Sequence, residues 1–187
     1  QRQRRGQAAP GGRTAPEAVF IYSDELLNYR FPGRHPFNQK RIQLTLDLLR
    51  TLNAINDEQI IPPRVASDEE LLLVHDERFI HAVKKAENGQ INVDHLFNYG
   101  LGTEDTPVFP KIHEASALVV GGTLVAAEYV MEGKANHALH LGGGLHHSLQ
   151  GRASGFCIYN DCAVAIRWII DRYDAKVLYI DTDAHHG

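Results

Sequence analysis

Cysteine is scarce: Cys157 and Cys162 are the only two in 187 residues. They match neither a disulfide framework nor a CxxC metal clip, so a reducing cytoplasm is the expected compartment. A basic surplus is lacking too. Lys and Arg total 19 against 23 Asp and Glu, for a net charge of −4, which argues against nucleic acid as the main partner. No stretch reads as approaching the roughly 20 apolar residues that cross a bilayer, and no membrane is expected. Hydrophobic content, by contrast, is ample. At 43% hydrophobic and 22% charged the composition is that of a globular protein, long enough for one domain or most of a larger one.

The first sixteen residues, QRQRRGQAAPGGRTAP, carry Arg2, Arg4, Arg5 and Arg13 with no apolar core behind them. A secretory signal would need such a core, so none is expected here. The segment reads as an unstructured leader, with a basic recruiting arm as the other reading. Residues 17–187 are taken as the folded part.

Ala18–Tyr22 (AVFIY) is an apolar run suited to a buried first strand. After His35-Pro36, the spacing of Ile42, Leu44, Leu46, Leu48 and Leu49 predicts a helix to about Leu52. Ser67-Asp68-Glu69-Glu70 is a capping-box sequence that should start a short helix through Leu73, and Asp76 can cap another through Glu87. Lys111 to Glu132 predicts a long apolar helix despite Gly121-Gly122. His137–Leu141 predicts a strand, Asp161 to about Tyr173 a helix, and Lys176–Asp181 (KVLYID) a further strand. Strand, helix, strand implies a parallel sheet with a right-handed crossover, in which ligands gather at the carboxyl ends of the strands. Both polar clusters fall at that edge.

One cluster is Asp181-Thr182-Asp183-Ala184-His185-His186-Gly187. Residues two apart in an extended chain point the same way, so Asp183 and His185 can converge on one ion. A carboxylate and an imidazole suit catalytic zinc or another divalent first-row metal. Two ligands are not a site, and a third has to come from elsewhere. The other cluster, Leu145-His146-His147-Ser148, follows three glycines. Adjacent histidines near a metal supply what amide hydrolysis requires, one taking a proton from water and one giving it to the leaving amine. Asp181 is a natural orienting partner for one of them. Either cluster alone is more often solvated or structural. Between them lies Gly155-Phe156-Cys157-Ile158-Tyr159-Asn160-Asp161. Phe156 either packs in the core or walls a narrow apolar tunnel, with the Gly155 carbonyl bare for a substrate amide.

In this order and spacing, GGLHHS, GFCIYND and YIDTDAHHG resemble the histone deacetylase superfamily, from about Val19 to Gly187. The start, FIYSDELLNYRFPGRHPFNQKRIQLTLDLL, resembles the bacterial acetoin-utilisation deacetylases. The resemblance implies an arginase/deacetylase-like three-layer α/β fold with a parallel sheet, and hydrolysis of N-acetyl-lysine to lysine and acetate. It implies zinc, or ferrous iron in cells, on Asp183 and His185, and proton transfer by His146 and His147 with Asp181 behind the first. It also implies a structural K+ or Na+ on Asp181 and the main-chain carbonyls of Asp183 and His185. Gly155 and Phe156 match the acetyl-lysine tunnel, and Asp105 a rim aspartate gripping the substrate backbone, although GTEDTP departs from the family's wording there. Arg41 matches an arginine of a cavity behind the metal, associated with acetate release.

The family pattern continues past Gly187 with the second histidine's partner, the third zinc ligand, the far tunnel wall and a tyrosine. The expectation is therefore a domain cut short after the strand carrying DTDAHHG, incompletely folded and inactive alone. The expected partner is an acetylated lysine on a protein, with acetyl-CoA synthetase suggested by the acetoin branch. The rival readings are an amidohydrolase for acetylpolyamines or other small amides, and a non-catalytic acyl-lysine-binding fragment. An arginase-like manganese enzyme would need more aspartates and no histidine pair.

Overall fold

The computed structural model describes residues 16–90 and 92–187; the leader predicted over 1–16 lies outside them except for its last residue. Strand β1 (Ala18–Ile21) is central, flanked by β2 (Ile60–Ile61) and β3 (His137–Leu139), all parallel, in the order β2-β1-β3. Phe20 pairs with Ile60 and with Leu139, which fixes the register on both sides.

Alternation along β1 makes the layers. Phe20 turns to one face and packs with Ile42 and Leu46 of helix α1 (Lys40–Thr51). Val19 and Ile21 turn to the other and meet Val125 of helix α5 (Ile112–Met131). A strand buried on both faces has to read as a continuous apolar run, which is why AVFI does.

The short helix α2 (Asp68–Leu71) begins with both halves of the expected capping box, Ser67 Oγ accepting from the Glu70 N–H and the Glu70 carboxylate accepting from the Ser67 N–H. Helix α3 (Glu77–Glu87) starts after Asp76, but the Asp76 side chain caps nothing. It accepts from Gln150 Nε2 at 2.8 Å instead, tying α3 to the loop beyond β3. After α4 (Val93–Asn98), α5 runs through the middle of the molecule, with α6 (Asp161–Tyr173) packed along it. Gly122 has a physical reason to be glycine: a Cβ there would stand 2.5 Å from the His140 ring. The main core gathers Tyr29, Phe79, Ile112, Leu124 and Tyr159 between α3, α5 and α6.

Two expectations need correction. At 20 residues, α5 is by itself long and apolar enough to cross a bilayer, contrary to the sequence reading; most of its residues are buried between the sheet, α3 and α6, as in a core helix. The predicted strand over 176–181 does not form. Its chain is irregular, and Leu178 and Ile180 are 83% and 73% exposed. Strand propensity is realised only where a neighbour supplies the ladder and a face covers the side chains. Among the described residues this segment has no such neighbour. β3 keeps a free edge, beside an apolar groove that includes Ala138, Ala165, Ile169 and Tyr179.

Candidate active site

The loop after β3 carries His146 and His147, whose ring centroids are 4.2 Å apart. The irregular segment after α6 brings Asp181 to the same place. Asp181 Oδ2 lies 2.5 Å from His146 Nδ1. A carboxylate only accepts, so Nδ1 carries the proton and Nε2 presents its lone pair. Tyr179 also donates to Oδ2 at 3.0 Å, and the Asp183 N–H donates to Oδ1 at 3.0 Å. That N–H first, and the imidazole second, pull the Asp181 carboxyl down to about 2.

Asp183 and His185 lie against each other. Asp183 Oδ1 accepts from the His185 N–H at 2.7 Å and lies 2.9 Å from His185 Nδ1. The backbone N–H is the largest cause holding the Asp183 carboxyl low. The His185 ring centroid is 6.2 Å from that of His147, so the ligand pair and the imidazole pair share one site. His146, Asp181, Asp183 and His185 line an open cleft of about 440 Å³ against Asn160 and Ile166 of the α6 end. The donor chemistry fits a divalent metal as two of its ligands. Among the described residues no group of three or more His, Cys, Asp or Glu converges to complete it.

Gly155 and Phe156 stand against the other imidazole. Gly155 has φ +48°, and a Cβ on it would come within 2.6 Å of the His147 ring, so glycine lets the ring lie directly on the backbone. Its carbonyl is not bare, because the Cys157 thiol points to it at 3.3 Å. Phe156, at φ +71°, is half-buried with its ring 4.7 Å from His35 and 6.2 Å from Phe37. Its strained backbone is held by Tyr29, whose hydroxyl donates to the Phe156 carbonyl at 2.6 Å and accepts from the Ile158 N–H at 3.1 Å. Asp105 is exposed on a turn whose base, Tyr99, accepts from the Ala153 N–H at 2.8 Å, so its loop is tied to the one carrying Gly155. Arg41 is exposed on the first turn of α1, 5.8 Å from the Phe37 ring centroid.

Three residues that hold the site escaped the sequence reading. Tyr29 gave no signal, being one aromatic among seven tyrosines. Asn160 and Asp161 had one, since Asn-Asp at a helix start is a capping pattern. Asn160 Oδ1 does cap α6, accepting from the Ala163 N–H at 2.9 Å.

Comparison with known proteins agrees with this fold. The Histone deacetylase domain model matches residues 35–187. The acetoin utilization protein AcuC of Bacillus subtilis is 60% identical over 171 residues, which cover 91% of this chain and 44% of that protein. AcuC of Staphylococcus aureus is 49% identical with the same coverage. Among solved structures, an HDAC homolog from Aquifex aeolicus superposes with a TM-score of 0.83 at 34% identity, covering 91% of this chain and 45% of the other. An HDAC homolog complexed with SAHA gives the same values. The chain thus spans about 44% of the length of the curated relatives it matches. A domain match over most of its length, together with the fold match at a TM-score of 0.83, leads to one conclusion: the chain belongs to the histone deacetylase family.

Proposed function

We propose that this chain supplies the proton-transfer half, and two of the metal ligands, of a metal-dependent deacetylase that hydrolyses N-acetyl-lysine on a protein to lysine and acetate. The observation that carries the reading is the His146–Asp181 contact beside the Asp183–His185 pair. A solvated surface histidine has no need of a carboxylate on its Nδ1, whereas a general base does, because the contact fixes the tautomer and leaves Nε2 to accept.

Asp183 and His185 would hold zinc or ferrous iron, which when bound polarises the amide carbonyl and acidifies a water. His146, with Nε2 free, takes a proton from the attacking water. His147, seated on Gly155, stands next to it to protonate the leaving amine. Phe156, His35 and Phe37 form one apolar side for the slender, neutral acyl-lysine chain. Asp105, on its exposed turn, would grip the substrate backbone. A monovalent cation on Asp181 and the carbonyls of Asp183 and His185 needs more enclosure than the exposed 181–185 segment provides. No step depends on it. The acetoin utilization name of the relatives makes an acetylated metabolic enzyme such as acetyl-CoA synthetase the substrate to try first.

The test is acetate release from an acetyl-lysine peptide, with an acetylated polyamine as comparison. It is run on this chain alone and on this chain joined to the remaining part of the Bacillus subtilis relative. The joined protein is expected to hydrolyse the peptide, and His146→Ala or His147→Ala to lower kcat by roughly 10²–10⁴-fold. The chain alone is expected to be inactive. A joined protein that folds, binds zinc and leaves the peptide intact would sink the reading.

A further inference from the structure

The Asp161 carboxylate is fully buried, at the first turn of α6, yet the helix does not need it as a cap because Asn160 already fills that place. It turns instead to the glycine loop ahead of the histidines. Oδ2 accepts from the Gly144 N–H at 3.0 Å and Oδ1 from the Leu145 N–H at 2.7 Å. Two successive peptide N–H groups thus converge on one anion, immediately before His146. Thr123 of α5 donates to Oδ2 at 2.6 Å. With its proton committed there, Thr123 Oγ1 accepts from His140 Nδ1, 3.0 Å away. His140, Thr123 and Asp161 therefore form one oriented chain from the end of β3 through α5 to the head of α6. On the far side of His146, Asn160 Nδ2 donates to the carbonyls of His146 at 3.0 Å and Ser148 at 3.1 Å. His75 Nε2 accepts from the Asn160 N–H at 3.0 Å and so anchors the clamp from behind.

We propose that Asp161 is a positioning residue for the imidazole pair: by holding the Gly144 and Leu145 peptides it sets where the His146 ring stands relative to Asp181. An acidic residue in a helix's first turn is favoured by the helix dipole alone. That effect asks for neither burial nor three donors from two other elements. A carboxylate with both oxygens engaged cannot turn without breaking one of them, which suits it to hold a peptide in one place. For its catalytic consequence the inference rests on the proton-transfer role proposed for His146; for its structural content it does not.

The experiment reads the ring N–H proton of His146 by NMR in the joined protein. A bond of 2.5 Å to a carboxylate places that resonance far downfield, and Asp181→Asn identifies it by its loss. Asp161→Asn keeps the shape but sets an amide NH2 against a donor whichever way it turns, so the resonance should shift or vanish. Thr123→Val removes one donor and the link to His140 and should shift it less, while Thr123→Ser should restore it. Should Asp161→Asn fail to fold, the Thr123 pair decides. An unchanged resonance in Thr123→Val, or in a folded Asp161→Asn, overturns the proposal. In the joined protein, kcat is expected to fall with KM unchanged in Asp161→Asn. An inactive parent protein would sink the deacetylase reading and leave the NMR result standing.

Discussion

His146 Nδ1 stands 2.5 Å from Asp181 Oδ2 across 35 residues of sequence. The contact joins a histidine on the loop after β3 to an aspartate on a segment that forms no strand. Asp181→Asn leaves the volume unchanged but offers an amide that can donate as well as accept. In the joined protein, kcat is expected to fall by about 10–100-fold, as for other groups that orient a catalytic residue. The measurement is steady-state acetate release, and a kcat equal to that of the parent would separate Asp181 from catalysis.

His140 makes stability depend on pH. Burial pushes its imidazole down to about 4, against an ordinary value near 6.5. Between these values the unfolded chain binds a proton that the folded chain refuses. The stabilisation is therefore complete above pH 6.5 and is lost as the pH falls toward 4. His75 and His113 are lowered by burial too and act with the same sign. Urea midpoints at pH 4, 5, 6 and 7 should fall steadily toward acid, and His140→Asn should flatten the slope without abolishing it. A slope unchanged in that variant would refute the assignment.

Gly155→Ala should displace His147. Its Cβ would overlap the ring, and its backbone at φ +48° disfavours a side chain by about 1–2 kcal/mol. A lower urea midpoint together with altered His147 ring resonances is the expected result. Normal His147 resonances would show that the ring does not rest on this residue.

Tyr29→Phe deletes a hydroxyl that serves both the Phe156 carbonyl and the Ile158 N–H in a fully buried setting. Leaving buried groups unpaired costs about 1–3 kcal/mol. Amide hydrogen exchange at Ile158 should accelerate more than in helix α5. Equal acceleration in both would mean the hydroxyl serves global stability and not this loop.

Much of the architecture could be read from local pattern. The capping box at Ser67, the helix over 161–173 and the apolar run of β1 each follow from the chemistry of neighbouring residues, and each formed as expected. β2 went unseen because two isoleucines carry no period. KVLYID has a strand's composition and no strand's neighbours, so composition misled. The glycines at 121 and 122 weaken a helix in isolation. Gly122 is needed because the His140 ring crosses there.

The sequence by itself determined the inventory: paired histidines after glycines, an aspartate and a histidine two residues apart, and a further aspartate two residues before them. Those are local facts, set by spacing along the chain. That Asp181 stands behind His146 the family resemblance had implied; the contact itself, and what holds the two still, only the tertiary structure decided. Hydrogen bonds between Asp181 and His146, Asp161 and the Gly144–Leu145 peptides, or Tyr29 and Phe156 span 16 to 127 residues. Their distances depend on how helices α5 and α6 pack on the sheet, and no window of sequence contains that packing.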